Sequence, residues 1–174
     1  MDNPTTERLG ESTFHTVSQG PKVIGKYDIE KEVGKGSMGT VYSAHDSFSN
    51  RTVAIKVAHP HFITQTEDGA RFRKLFFNEA HATAVLAHPS ILHLYDAGVD
   101  GDLCYLVMEY VEGAETLHPF SKADGLLPVR EVVGLIYKCA KALDYAHRQG
   151  IIHRDIKPSN ILFTKDRDIR VADF

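Results

Sequence analysis

The chain has little cysteine: two residues in 174, Cys104 and Cys139. They lie far apart in apolar surroundings and make neither a disulfide framework nor a zinc-ligand spacing, a usage that suits a reducing cytoplasm. It also lacks an excess of either charge. Its 20 Lys and Arg stand against 23 Asp and Glu, a formal charge of −3. That balance gives no basic field for nucleic acid, and no local patch makes up for it. Glycine and proline, at 13 and 7, are too few for a collagen-like or low-complexity chain. No run approaches the roughly 18–20 apolar residues that cross a bilayer. Met1 to Gly20 carries acids early and has no apolar signal-peptide core. What is there, 43% apolar and 25% charged residues, excludes disorder throughout and allows one domain or two small lobes.

The N-terminal stretch is rich in Ser and Thr with little to bury, and residues 1–26 read as a flexible extension. From Tyr27 the pattern changes. Tyr27 to Val33, Thr40 to Ala44 and Arg51 to Ala58 read as strands joined by short turns, hence an antiparallel sheet. From Asp68 to Leu86 the period becomes helical, with Phe72, Phe76, Thr83 and Leu86 on one face and Glu79 in the middle of it; His88-Pro89 ends the helix. Ile91 to Val99 and Leu103 to Val111 complete a five-stranded sheet around the Asp100-Gly101 turn, and Glu112-Gly113 is a connector. Val129 to Gln149 is a long helix with Val132, Ile136, Cys139, Leu143 and Ala146 on one stripe and Gly150 as its stop. Short elements follow: Ile151-Ile152, a polar loop to Asn160, Ile161 to Phe163, and Ile169 to Val171. The plan is a β-rich front lobe over 27–111 and the start of a helical second lobe over 112–174, without internal repeats.

Four constellations carry chemistry. In Gly34-x-Gly36-x-x-Gly39-x-Val41 the glycines let a hairpin backbone approach phosphate oxygens and offer N–H groups to them. Such a run is as often a plain turn, and the spacing also occurs in dinucleotide sites. There, however, a helix follows the glycines, and here Val41 and Tyr42 continue a strand. In Val53-Ala54-Ile55-Lys56, alternation puts Lys56 on the face of Ala54 and Ala58, which favours a functional ammonium over a solvated edge charge. Ala54 leaves room for a flat ring. Glu79 on an apolar stripe asks for a cation, with Lys56 the natural candidate; a rotated helix would leave it at a solvated boundary, and periodicity does not separate the two. Finally, Ile152-His153-Arg154-Asp155-Ile156-Lys157-Pro158-Ser159-Asn160-Ile161-Leu162 gathers an acceptor, a cation and an amide oxygen within one short loop.

This last run resembles the catalytic loop of protein kinases, and Asp173-Phe174 matches the opening of that family's metal-binding triplet. The signatures occur in family order from Tyr27 to Phe174. Gly-Ser-Met-Gly-Thr-Val-Tyr and His-Arg-Asp-Ile-Lys-Pro-Ser-Asn most resemble the bacterial-type serine/threonine kinases. The resemblance implies an α+β, kinase-like fold, with the five-stranded antiparallel lobe, its one helix and an incomplete helical lobe. It implies ATP and Mg2+ as cofactors, and a protein Ser or Thr hydroxyl as acceptor. Backbone at Gly34, Gly36 and Gly39 would cover the phosphates. Val33 would count among the nucleotide-binding positions, and Val41, Ala54 and Leu162 would sandwich the adenine. Lys56, paired to Glu79, would hold the α- and β-phosphates. Glu109 to Val111 would read the adenine edge, with Met108 guarding the pocket behind. Asp155 would orient the substrate hydroxyl and accept its proton, Lys157 would neutralise charge on the transferred phosphoryl group, and Asn160 and Asp173 would bind magnesium. His153 and Phe174 would be packing residues, and Arg154 suggests control by phosphorylation of an activation loop.

The chain stops before the glycine that completes the triplet, so a partial catalytic domain is expected, either a fragment of a longer product or a truncated reading frame. The apolar stripe of the long helix is then expected to be exposed, Asp173 to sit near a fraying terminus, and these 174 residues alone to be inactive. The alternatives are a phosphotransferase given incompletely, in the cytoplasm or anchored to a membrane beyond Phe174, and a non-catalytic remnant that binds nucleotide or a partner. A small-molecule phosphotransferase is the runner-up enzyme, against which the glycine loop and Lys157 both speak. His59 with His61, and His81 with His88, lack carboxylate or Cys partners at ligand spacing and carry no metal expectation.

Overall fold

A computed structural model describes residues 21–36, 39–59 and 69–174, except the side chains of Glu79 and Ala82. The mobile extension expected over residues 1–20 lies outside the described residues, as do Ser37, Met38 and His61. The front lobe is a six-stranded antiparallel sheet of β1 (Val23–Ile24), β2 (Tyr27–Lys35), β3 (Gly39–Asp46), β4 (Arg51–Ala58), β5 (Leu94–Asp100) and β6 (Leu103–Glu109), in the order β1-β2-β3-β4-β6-β5. Five strands match the expected set. The sixth, β1, starts the sheet ahead of Tyr27 and buries Ile24 completely, so residues 23–26 belong to the lobe rather than to an extension. Two residues are too few to show a period, which is why the pattern misses them.

Strand alternation sorts the sheet into two faces. Val53, Ile55 and Val57 pack with Ile24, Tyr27, Ala44, Tyr105 and Val107 in one cluster. Ala58 and Cys104 point the other way, against Phe72, Phe76 and Phe77 of α1 (Gly69–Ala84). On that second face the register lines up two rows. One runs Gly34, Val41, Lys56, Leu106 and Ala97; the next runs Lys31, Ser43, Ala54, Met108 and Leu94.

The second lobe is built on α2 (Val129–Arg148) and a small sheet of β7 (Glu115–Thr116), β8 (Ile161–Phe163) and β9 (Ile169–Val171), with single 3-10 turns at Pro119–Ser121 and Pro158–Asn160. Glu131 in its first turn and His147 and Arg148 in its last match the dipole of α2. Gly150, at φ +77°, ends it in the left-handed region as the sequence suggests. The packed stripe differs from the expected one. Leu135, Ala142 and Ala146 are buried against Ile161, Phe163, Ile169 and Val171, with Cys139 alongside, whereas Ile136 is 61% exposed. The helix carries apolar residues on two sides, and β8 and β9 cover only one. The other, with Val129, Val133, Ile136 and Tyr137, is open.

A short segment staples the lobes. The first helix ends at Ala84, before Leu86, and Leu86 and Ile91 are buried in the second lobe's cluster. Burial of two such side chains is worth about 3–6 kcal/mol. The Ala87 N–H donates to the Tyr145 hydroxyl at 3.2 Å. Val171 donates to the Ser90 carbonyl at 2.8 Å, Leu92 to that of Val171 at 2.9 Å, and Glu109 to that of His93 at 2.8 Å. Strand β5 therefore starts at Leu94 rather than Ile91, because Ser90 to His93 spend their backbone groups on β9 and on the end of β6.

Candidate functional site

The glycine run forms the β2–β3 hairpin, closed by a 2.9 Å bond from the Gly36 N–H to the Gly39 carbonyl. Its three glycines have different reasons. A Cβ at Gly39 would collide with the Val57 carbonyl, so this position is closed by β4 itself. At Gly34 and Gly36 an added Cβ would meet atoms no nearer than 3.9 and 3.8 Å, which is ordinary contact. Neither is among the left-handed glycines of the described residues, which are Gly25, Gly101, Gly113 and Gly150. Nothing among the described residues demands glycine at those two positions. Val33 and Val41 flank this hairpin, Val33 exposed and Val41 half-buried.

Lys56 leaves β4 on the face of Ala54, which is buried beside Met108 in the register. Its Nζ lies 2.5 Å from Asp173 Oδ1, with side-chain exposures of 21% and 45%. Glu79 lies within α1, but its side chain is outside the described residues, so the expected Lys56–Glu79 pair is too. The described partner of Lys56 is Asp173, which stands 117 positions further on.

The polar loop after α2 folds around Asn160. Its Nδ2 donates to the Asp155 carbonyl at 2.9 Å and to Asp155 Oδ2 at 3.1 Å. Lys157 Nζ donates to the same carboxylate oxygen at 2.6 Å. That hydrogen bond above all, with the charge of Lys157 and the Asn160 amide, holds the Asp155 carboxyl below the usual carboxylate range against the opposing effect of desolvation. His153 is buried with both ring nitrogens engaged: Nε2 donates to the Ala172 carbonyl at 2.9 Å, and Nδ1 accepts the Asp155 N–H at 3.3 Å. Its ring packs on Phe174 at 4.7 Å. Arg154 and Asp173 both hold positive φ, +65° and +60°, a strained conformation for side chains of their size that concentrates at functional sites.

These parts join into one site. The Ala172 N–H donates to the Asn160 carbonyl at 2.9 Å, which locks the segment bearing Asp173 to the loop bearing Asp155. Three contacts, through Asp173, Ala172 and Asn160, thus connect Lys56 to Asp155. Leu162 follows on β8, half-buried and opposite Arg170 of β9. Glu109 ends β6, and the Val111 carbonyl accepts the Ala114 N–H at 3.2 Å in the turn that leads away. One contact between the lobes escapes a sequence reading: Arg170 Nε meets Glu109 Oε1 at 3.3 Å. The available signal is a basic residue alternating with Ile169 and Val171 in so short a strand.

Oxygen donors near Asp173 suit a hard divalent ion. The Asn160 amide spends its nitrogen on Asp155, which leaves Oδ1 as an acceptor, and Asp173 pairs through one carboxylate oxygen only. Among the described residues no group of three or more His, Cys, Asp or Glu is arranged around a metal. Two protein oxygens fit Mg2+, which keeps water and substrate phosphate as its other ligands. Among the described residues no helix is long and apolar enough to cross a membrane.

Comparison with known proteins agrees with this arrangement. The family described as protein kinase domain matches residues 27–174. The chain is 41% identical over 155 residues to a probable serine/threonine-protein kinase of Clostridium acetobutylicum, and 39% identical over 155 to the serine/threonine-protein kinase PrkC of Bacillus subtilis. Each match covers 89% of this chain and 23% of the relative, so the chain spans about a quarter of the length of these proteins. The crystal structure of the Mycobacterium tuberculosis PknI kinase domain superposes with a TM-score of 0.73 at 33% identity, over 87% of this chain and 60% of that one. With family, relatives and fold in agreement, the chain belongs to the protein kinase domain family, as a partial domain homologous to the eukaryotic-like serine/threonine kinases of bacteria.

Proposed function

We propose that the protein containing this chain transfers the γ-phosphoryl group of ATP to Ser or Thr hydroxyls of a protein substrate. The adenine lies between Val41 and Ala54 above and Leu162 below, with Val33 at the rim, and its edge meets the backbone of Glu109 and Val111. The hairpin at Gly34 and Gly36 closes over the phosphates, and Gly39 fixes that hairpin against β4. Lys56 holds the α- and β-phosphates. At the other end, the substrate hydroxyl donates its proton to Asp155 as its oxygen attacks the γ-phosphorus and the bond to the β-phosphate oxygen breaks. Lys157 compensates the charge on the moving group. Asn160 and Asp173 would hold Mg2+, which would supply neutralisation of the phosphate charge. Two free thiols and the need for ATP favour a catalytic site facing the cytoplasm, whether or not the intact protein is anchored to a membrane.

The observation that carries the reading is the linked chain of contacts from Lys56 through Asp173 and Ala172 to Asn160 and Asp155. It supports a single nucleotide site served by two lysines and two carboxylates. The test is Asp155→Asn in the intact protein. Phosphate transfer should fall about a hundred- to ten-thousandfold while ATP affinity stays within about twofold. Undiminished transfer would contradict the role given to Asp155, and a wild-type protein that binds ATP without any transfer would favour a nucleotide-binding remnant.

A further inference from the structure

Glu109, paired with Val53 in the sheet, stands where β6 leaves it, and both its carboxylate oxygens are engaged. Its N–H donates to the His93 carbonyl at 2.8 Å, and its Oε2 accepts the His93 N–H at 3.4 Å. Its Oε1 takes Arg170 Nε at 3.3 Å. Arg170 alternates with Ile169 and Val171, both fully buried in the second lobe, so its side chain emerges on the opposite side of β9. A further bond from Nη1 to the Ile169 carbonyl at 3.0 Å pins the guanidinium to its own strand. The pair is about three-quarters shielded, at 23% and 27% exposure, and is screened less than a surface pair. Arg170 also lies opposite Leu162 and three residues before Asp173. One ionic contact therefore ties the connector between the lobes to the strand that leads to Asp173.

We infer that Arg170 is a positioning residue for purine recognition: by gripping the Glu109 carboxylate it fixes the height of the Glu109–Val111 backbone over Leu162, where the base is read. The inference rests on the nucleotide-binding reading above. It assigns the Glu109 side chain a task separate from that of its backbone. Without the guanidinium, Glu109 keeps His93 but loses its hold on β9, and the connector is free to shift against the base. The phosphate end keeps its own contacts.

Binding of ATP, adenosine and inorganic tripolyphosphate to the intact protein, with steady-state kinetics alongside, separates the outcomes. Arg170→Ala should weaken ATP and adenosine by the same factor, about three- to tenfold, and leave tripolyphosphate unchanged. KM for ATP should rise by that factor with kcat within about twofold. Arg170→Lys should recover part of the loss, whereas Arg170→Leu, which keeps apolar packing and melts like wild type, should not. Glu109→Gln combined with Arg170→Ala should cost no more than Arg170→Ala alone. Wild-type adenosine affinity in folded Arg170→Leu, or an equal loss for tripolyphosphate, would overturn the inference and leave the function standing. A wild-type protein that binds neither ATP nor adenosine would overturn the function itself, and this inference with it.

Discussion

Two lysine–aspartate pairs stand at the candidate site, and they are made in opposite ways. Lys157 and Asp155 are two residues apart, and their side chains are 50% and 62% exposed. One turn of loop suffices to bring them to 2.6 Å. Lys56 and Asp173 are 117 residues apart, more enclosed on the lysine side, and meet at 2.5 Å only because β4, the Ser90–His93 staple and β9 are all in place. The first pair would survive considerable disorder around it. The second is a report on the whole fold, and it is the one that makes two lobes into a single site.

Breaking the distant pair should have the largest effect. Lys56→Met removes a charge from the phosphates and the partner of Asp173, so transfer should drop about a hundred- to thousandfold in a radiometric assay with protein substrate, with the melting temperature little changed. The local pair is sharpened through Asn160, 8% exposed, whose amide holds the Asp155 carbonyl. Asn160→Ala leaves that carbonyl without its donor and should cost about 1–3 kcal/mol by urea denaturation, in addition to lost activity. The glycines give a comparison of the same kind. Gly39→Ala should destabilise by about 1–3 kcal/mol, because its Cβ has no place beside the Val57 carbonyl. Gly36→Ala should leave stability within about 0.5 kcal/mol and weaken ATP binding several-fold.

The smallest effect concerns protonation. The Lys157 hydrogen bond keeps the Asp155 carboxyl below its usual range. Whatever this pair contributes is therefore complete above the ordinary carboxylate pKa and is lost as pH falls through the lower folded value. Lys157→Met should move the Asp155 titration upward toward the ordinary value, followed by carboxyl NMR, with no change in protonation at neutral pH. An acid limb of activity near pH 6 would have to come from another group.

Much of this is legible in the sequence because the chemistry lies in runs. Strand β4, the loop from His153 to Asn160 and the short strands Ile161–Phe163 and Ile169–Val171 stand where their patterns put them. The misses share a cause. Ile24 lies ahead of the first expected strand, Leu86 and Ile91 read as the ends of the front-lobe helix and of the next strand, and only tertiary packing shows which lobe each one serves. On α2 the expected stripe and the observed one are both apolar, and the choice falls to β8 and β9, which cover Leu135, Ala142 and Ala146. The Glu109–Arg170 contact spans 61 positions, and its local trace is no more than a basic residue set between Ile169 and Val171.

The central claim is that Lys56 and the loop of Asp155 and Lys157 face one nucleotide. It is tested most directly by an ATP analogue that carries a lysine-reactive acyl group on its terminal phosphate, used on the intact protein and mapped by mass spectrometry. The account predicts acylation of both Lys56 and Lys157, suppressed by excess ATP at a common midpoint. Labelling of one lysine without the other, or labelling of both that ATP does not suppress, would contradict it.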